Sequence, residues 1–199
     1  MNRFGDAEDF IRRWERGDEA GVQIGSSIPI KPGSYSAAVL TPSHPDFFAR
    51  IEPGIRNLVK LLVSDLGWIT YSSCEGHPTQ EGRTLMPRHV GVLPRSRTEL
   101  LQQRAVLYGV AAAANVAIAA GASVAIREVM LECRDDKCRP VLDILFVPLD
   151  AEAAYFEFLD HLTDLVTSGL RRLIHVKNES AYKSGASPNS SRADDCFVR

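Results

Sequence analysis

The sequence predicts an α+β fold: a mostly antiparallel sheet in the split-βαβ, ferredoxin-like arrangement, with helices on one face, extended by one strand and one C-terminal helix. Three observations predict it. Short runs rich in β-branched and aromatic residues alternate with longer runs of helical period. Two of the strand-like runs, 123–133 and 139–147, flank the polar turn Arg134, Asp135, Asp136, Lys137, as a hairpin requires. Val141, Leu142, Ile144, Leu145, Phe146 and Val147 mark the second of them as a buried central strand.

Each element follows from its residues. Residues 1–20 read as a short charged helix with Asp6 as cap and Phe10, Ile11 and Trp14 on one face. Residues 21–34 are an irregular connection containing Gly, Pro and Ser, with a short edge strand at 28–30. A first strand is expected at 36–40. Ser43 caps the next helix, with Asp46 at the capping-box position, and its apolar residues run through Ile51, Ile55, Leu58, Leu62 and Leu66. Pro53 interrupts that run, so the helix is kinked or split, and Gly67 ends it.

A strand is expected at 68–73, a long loop at 74–87, and a strand at 89–93 closed by Pro94. A helix from 98 to 120 ends at Gly121, and the hairpin at 123–147 follows. Asp150 and Glu152 open a last helix, whose stripe is Tyr155, Phe158, Leu159, Leu162, Leu165, Val166 and Leu170. The expected organisation is an N-terminal helix and connection at 1–34, one α+β domain at 35–176, and a Ser-, Asn-, Lys- and Gly-rich tail at 177–199 whose composition supports no core.

Composition narrows the function classes. At 199 residues the chain has the length of one domain with tails. A net charge of −2 gives no general attraction to nucleic acid or anionic membrane. Cysteines at 74, 133, 138 and 196 are too scattered for a disulfide framework, and the first residues carry no apolar signal region; a reducing, cytoplasmic setting is the expectation. The uncharged stretch 105–126 has the length of a membrane span. It is built of Ala and Gly and interrupted by Asn115 and Ser123, which fits a tightly packed helix running into a strand.

The chemistry concentrates in Ser72, Ser73, Cys74, Glu75, Gly76 and His77. A loop that leaves a strand starts from a rigid position, and Gly76 permits a turn that other residues resist. Three chemical readings stand beside each other. Cys74 is a nucleophile with His77 or His44 as base, and Glu75 shares the acid–base work. Alternatively, Cys74, His77 and His89 or His44 ligate a transition metal with one position open. In the third, Ser72, Ser73 and the loop N–H groups around Gly76 bind an anion, helped by Arg83 or Arg88. The plain structural alternative is a small buried Cys74 at a strand end, a turn at Gly76 and solvated Glu75 and His77. Arg88, Arg95 and Arg97 bracket the third strand, where surface solvation is their ordinary role, and His161 and His175 read as surface or packing residues.

The topology also separates candidates. It places 41–46, 72–77, 121 and 150 at one end of the sheet and the 134–137 turn at the other. Cys74 and His77 therefore cannot share one zinc ion with Cys133 and Cys138 across strands roughly 17–20 Å long.

The run Gly67-Trp68-Ile69-Thr70-Tyr71-Ser72-Ser73-Cys74-Glu75-Gly76-His77 resembles the strand-loop signature Ser-Ser-Cys-Ser-Gly-Arg of the wybutosine-synthesising tRNA methyltransferase family. It is also similar to uncharacterised bacterial and phage proteins with Ser-Cys-Glu-Gly-His after a like strand. The resemblance implies S-adenosylmethionine and tRNA as ligands. Glu75 and His77 depart from the signature, and an imidazole replaces an arginine as anion partner only when protonated.

The expectation is an enzyme of unknown substrate, a small molecule or RNA, working through the loop from Cys74 to His77 by thiol and imidazole chemistry or with a metal. The alternative is a non-catalytic ligand-, RNA- or protein-binding module using the same loop. A homodimer is a third expectation, because antiparallel domains with open edges associate.

Overall fold

The computed structural model describes residues 7–17, 41–78, 84–118, 122–132, 138–148 and 155–183. The elements are α1 (Ala7–Arg16), a 3-10 turn (Phe48–Arg50), α2 (Pro53–Lys60) running into a π-helical turn (Leu61–Asp65), β1 (Thr70–Cys74), β2 (His77–Pro78), β3 (Thr84–Met86), β4 (Arg88–Val92), α3 (Arg97–Ala117), β5 (Ala122–Glu132), β6 (Cys138–Pro148) and α4 (Tyr155–Lys183).

The main sheet is antiparallel in the order β1-β4-β6-β5, and β2 and β3 form a separate small hairpin. This is the expected α+β class. The connection from β4 through α3 to β5 steps over β6, so it is a split crossover. The other expected crossover needs 36–40, which lies outside the described residues, as do the 134–137 turn, Asp150 and Arg83.

Side-chain alternation sets the two faces of the sheet. Val90 and Val92 of β4, Val124 of β5 and Leu142, Ile144 and Phe146 of β6 meet Leu58, Leu62, Leu107, Val110, Leu162, Val166 and Leu170 of the helices in the main core. On the other face α1 lays Phe10 and Ile11 over Ile69, Leu93 and Val141. Helices therefore cover both faces, where the sequence led us to expect one. Phe10 and Ile11 belong to an amphipathic helix that needs an apolar partner, and Ile69, Leu93 and Val141 supply it.

Local chemistry explains the boundaries. Pro53 splits the expected long helix into the 3-10 turn and α2, because proline fits the first turn of a helix and is excluded from its interior. Gly67, at φ +66°, turns the chain so that the Trp68 N–H reaches the Leu62 carbonyl at 2.9 Å. Ser96 caps α3, accepting from the Glu99 N–H at 3.1 Å. α4 runs on to Lys183, past the point near 177 where composition suggested that order ends.

Edge strand β5 is occupied by α3. The Asn115 amide donates to the Val124 carbonyl at 2.9 Å and accepts from the Val124 N–H at 2.7 Å, as a neighbouring strand would. Tyr108 Oη donates to the Ile126 carbonyl at 3.4 Å. Those backbone groups are taken, which removes much of the template for edge-to-edge pairing. No helix among the described residues is long and apolar enough to cross a membrane; within the 105–126 stretch, 105–117 belong to α3 and 122–126 to β5.

Candidate functional site

β1 and β4 fix the frame of the site. β1 runs toward Cys74, β4 begins at Arg88, and Cys74 pairs with His89. The ends of these strands, the start of β5 at Ala122 and the end of β6 at Pro148 lie together. Cys138 pairs with Glu132 at the opposite end, which separates it from Cys74 as the topology required; Cys133 lies outside the described residues.

Beyond Cys74 the chain turns at Gly76, whose φ of +86° suits a residue without a β-carbon. His77 then opens β2 and pairs with Met86 of β3. The stretch expected as an open loop thus contains a short antiparallel pair of strands, which holds the His77 backbone against Met86.

The residue that sequence reasoning missed is Glu52. Its carboxylate, the Cys74 thiol and a His77 ring nitrogen lie within 4.8 Å of one another. His77 Nε2 is 2.9 Å from Glu52 Oε1, and the two side chains are 46% and 36% exposed, so the cluster opens to solvent on that side. Cys74 is buried. The other carboxylate oxygen, Glu52 Oε2, accepts from the Glu75 N–H at 2.7 Å. The Gly76 N–H points at Cys74 Sγ at 3.4 Å. Pro53 was the available signal for Glu52. A residue before proline is kept out of the α region, and Glu52 has φ −58° and ψ 140° as the cap of α2.

The Cys74 thiol is pushed up from its ordinary value, chiefly by burial and further by the carboxylates of Glu52 and Glu75. The Gly76 N–H opposes this, since it stabilises the thiolate.

The remaining candidates are placed as follows. Glu75 turns its carboxylate to the Gly54 N–H at 2.8 Å, tying the loop to the start of α2. Arg88, expected as an anion donor, is 1% exposed and faces inward. Its Nε donates to the Glu75 carbonyl at 2.8 Å, and its Nη1 to Asp160 Oδ1 at 2.6 Å and Thr163 Oγ1 at 3.1 Å. Its Nε and Nη1 donate to acceptors of the protein, so it clamps the loop to α4. Gly54 lies between these groups: a β-carbon there would stand 2.7 Å from Arg88 Nη2 and 3.1 Å from Glu75 Oε2.

His89 bonds to Ser72 Oγ at 2.9 Å and is not among the clustered donors. Ser73 is exposed. His44 sits in a turn of its own, its Nδ1 accepting from the Asp46 N–H at 3.1 Å. That turn leans on α1, with Ser43 Oγ donating to the Gly17 carbonyl at 3.1 Å. Among the described residues no hydrogen bond joins 41–46 to 72–77, where the sequence led us to expect proximity. Tying the turn to the end of α1 explains the difference: neighbouring Glu15 pairs with Arg95, just past the far end of β4. His161 and His175 are exposed on α4, as expected.

The arrangement brings one sulfur, one nitrogen and one oxygen donor together at a partly open rim. Comparison with protein-family models, curated proteins and solved structures finds no match, so the reading of the site rests on its own geometry.

Proposed function

We propose that the chain is a metal-dependent enzyme whose centre is Glu52, Cys74 and His77, holding one transition-metal ion of the zinc class and leaving a coordination position for water or substrate. The observation that carries this reading is the convergence of the three donor atoms within 4.8 Å. Tetrahedral donors around zinc stand about 3.3–3.8 Å apart, given bonds of about 2.0–2.3 Å. The His77 and Glu52 donors, at 2.9 Å, stand closer than that, so the half-exposed side chains of these two residues part by small rotations to admit the ion.

The donor set suits the ion. A mixed thiolate, imidazole and carboxylate set with three protein ligands is the pattern of catalytic zinc sites. One thiolate and one carboxylate balance a divalent charge, which favours the ion in a partly buried site. Outer partners orient the ligands: the Glu75 N–H on Glu52 and the Gly76 N–H on Cys74. A divalent ion held there acts as a Lewis acid toward a substrate oxygen and lowers the proton affinity of bound water.

Cys74 as a free nucleophile is less well supported. Its burial and the two carboxylates favour the neutral thiol, and a thiol nucleophile needs the opposite environment. A bound cation reverses that balance. The resemblance to the wybutosine family implies S-adenosylmethionine and RNA; the position of Glu52 is the reason a metal comes first here.

Metal analysis of the purified chain tests the reading. We expect about one zinc per chain, and a thiolate-to-cobalt charge-transfer band after cobalt substitution. The band should vanish in Cys74→Ala, and the metal in a Cys74→Ala, His77→Ala double variant. Metal content equal in the native chain and the double variant would refute the proposal. Steeply salt-dependent retention on RNA by a metal-free chain would favour the binding module instead.

A further inference from the structure

A second polar arrangement, Ser72 with His89, lies beside Cys74 on β1 and β4. The register of β1 against β4 shifts between Thr70 and Ser72, so Tyr71 and Ser72 share one bulge. Gly91 makes room for the Tyr71 ring, since a β-carbon there would stand 2.5 Å from Tyr71 Cε1. The Tyr71 hydroxyl reaches across to Asp143 Oδ1 at 2.5 Å, which anchors the bulge. Ser72 is left directed at His89, two residues along β4 from Gly91.

The imidazole is oriented by the backbone. His89 Nδ1 is 3.1 Å from the Pro87 carbonyl oxygen. A carbonyl only accepts, so Nδ1 carries the proton. In the neutral ring Nε2 is then the lone-pair nitrogen, and Ser72 Oγ, at 2.9 Å, donates to it. Both side chains are half-buried, and β1 is the edge of the sheet, so the hydroxyl is approachable.

We propose that Ser72 and His89 form a nucleophile–base pair that accepts acyl groups from activated esters, a second centre beside Glu52, Cys74 and His77. A hydroxyl, an imidazole base and a fixed acceptor behind the imidazole are the parts that activate a serine for acyl transfer. The Ser72 proton moves to His89 Nε2 as Oγ forms a bond to the ester carbonyl carbon. The bond to the leaving oxygen then breaks, and that oxygen takes the proton from Nε2. Water completes the cycle: it gives a proton to Nε2, bonds to the acyl carbon, and Ser72 Oγ leaves with the proton. Throughout, the Pro87 carbonyl holds the Nδ1 proton and stabilises the imidazolium.

Ser73 gives an internal control, because it is exposed and adjacent to Ser72 in the same peptide. The native chain is treated with diisopropyl fluorophosphate, where the P–F bond breaks, Ser72 Oγ bonds to phosphorus and fluoride leaves with the proton. The sites are then mapped by tandem mass spectrometry. We expect Ser72 to be labelled about 100-fold faster than Ser73, within the range of general-base assistance. In His89→Phe that ratio should fall to near one. An acetyl group should accumulate on Ser72 during a p-nitrophenyl acetate burst. Repeating the labelling after chelation should leave the ratio unchanged, which separates this pair from the metal reading. Equal labelling of the two serines in the native chain, no label on Ser72, or a ratio indifferent to His89→Phe overturns the proposal.

Discussion

The two ends of the sheet are both rich in polar groups, and they use them in opposite ways. At the end where β4 finishes, Arg95 joins Glu15, Glu99 and the Gly67 carbonyl. Arg139 joins Glu8 and the carbonyls of Pro94 and Arg95. Arg95 and Arg139 both have acceptors around them, and their pairs with Glu15 and Glu8 fasten α1 to the sheet. At the other end lone pairs converge: Glu52 Oε1, Cys74 Sγ and His77 Nε2 crowd together, and Arg88 is turned inward to Glu75, Asp160 and Thr163. Among the described residues the ion pair of Glu52 is with His77 alone. Paired cations and carbonyls make a stitch. Converging donors with backbone N–H groups behind them make the proposed metal site.

The largest effect that would sharpen this contrast is on metal affinity. Glu52→Gln keeps the size of the side chain and removes the anionic donor. We expect at least about a 100-fold loss of zinc affinity, beyond what outer partners usually contribute. A competitive chelator titration checks it. Affinity within a factor of two of the native chain would reduce Glu52 to a helix cap.

Arg88 and Arg139 make the next comparison. Arg88→Met leaves the Glu75 carbonyl and Thr163 without their buried donor. We expect a loss of about 2–4 kcal/mol in chemical denaturation, with weaker metal binding as well, because the loop is no longer clamped to α4. Arg139→Met should lower stability and leave metal binding unchanged. Equal effects of both variants on metal affinity would break the distinction between the ends. Gly54→Ala tests the same clamp by crowding: its new methyl meets Arg88 Nη2, and a loss of about 1–3 kcal/mol in unfolding is expected.

How much of this was legible in the sequence depends on the range of the interaction. Strands β1, β4, β5 and β6 and helices α3 and α4 were readable because alternation and helical period are local. The opposite placement of Cys74 and Cys138 followed from strand direction alone. Glu52 was not found, since its approach to Cys74 depends on how α2 packs against β1, and no local pattern encodes that. Arg88 was misjudged for a related reason: a charged residue reads as exposed unless Asp160 and Thr163, far along the chain, are known to receive it. His44 was over-weighted because a helix start looks alike whichever end of the sheet it occupies.

A smaller effect is expected at Gly76. Its φ of +86° puts a side chain into a region L-residues rarely adopt, so Gly76→Ala should lower stability by about 1–2 kcal/mol. The same change tilts the N–H that supports Cys74, and an affinity loss on the order of 10-fold is expected.

The subtlest test is the pH dependence of Cys74, and its direction differs with and without metal. In the metal-free chain the folded-state thiol holds its proton to higher pH than the unfolded one. The neutral form is therefore the one that folding favours. Its stabilisation is fully present below the ordinary thiol range, and is lost as pH rises from that range through the raised folded value. Denaturation midpoints of the metal-free native chain should fall in alkaline solution more than those of Cys74→Ala. With zinc the dependence inverts. Binding must displace the thiol proton, so zinc affinity should rise with pH and about one proton should be released per ion near neutrality. Calorimetry in buffers of different ionisation enthalpy counts that proton. A native chain and a Cys74→Ala variant that release the same number would show that the sulfur never meets the metal, and the converging end of the sheet would then be another stitch.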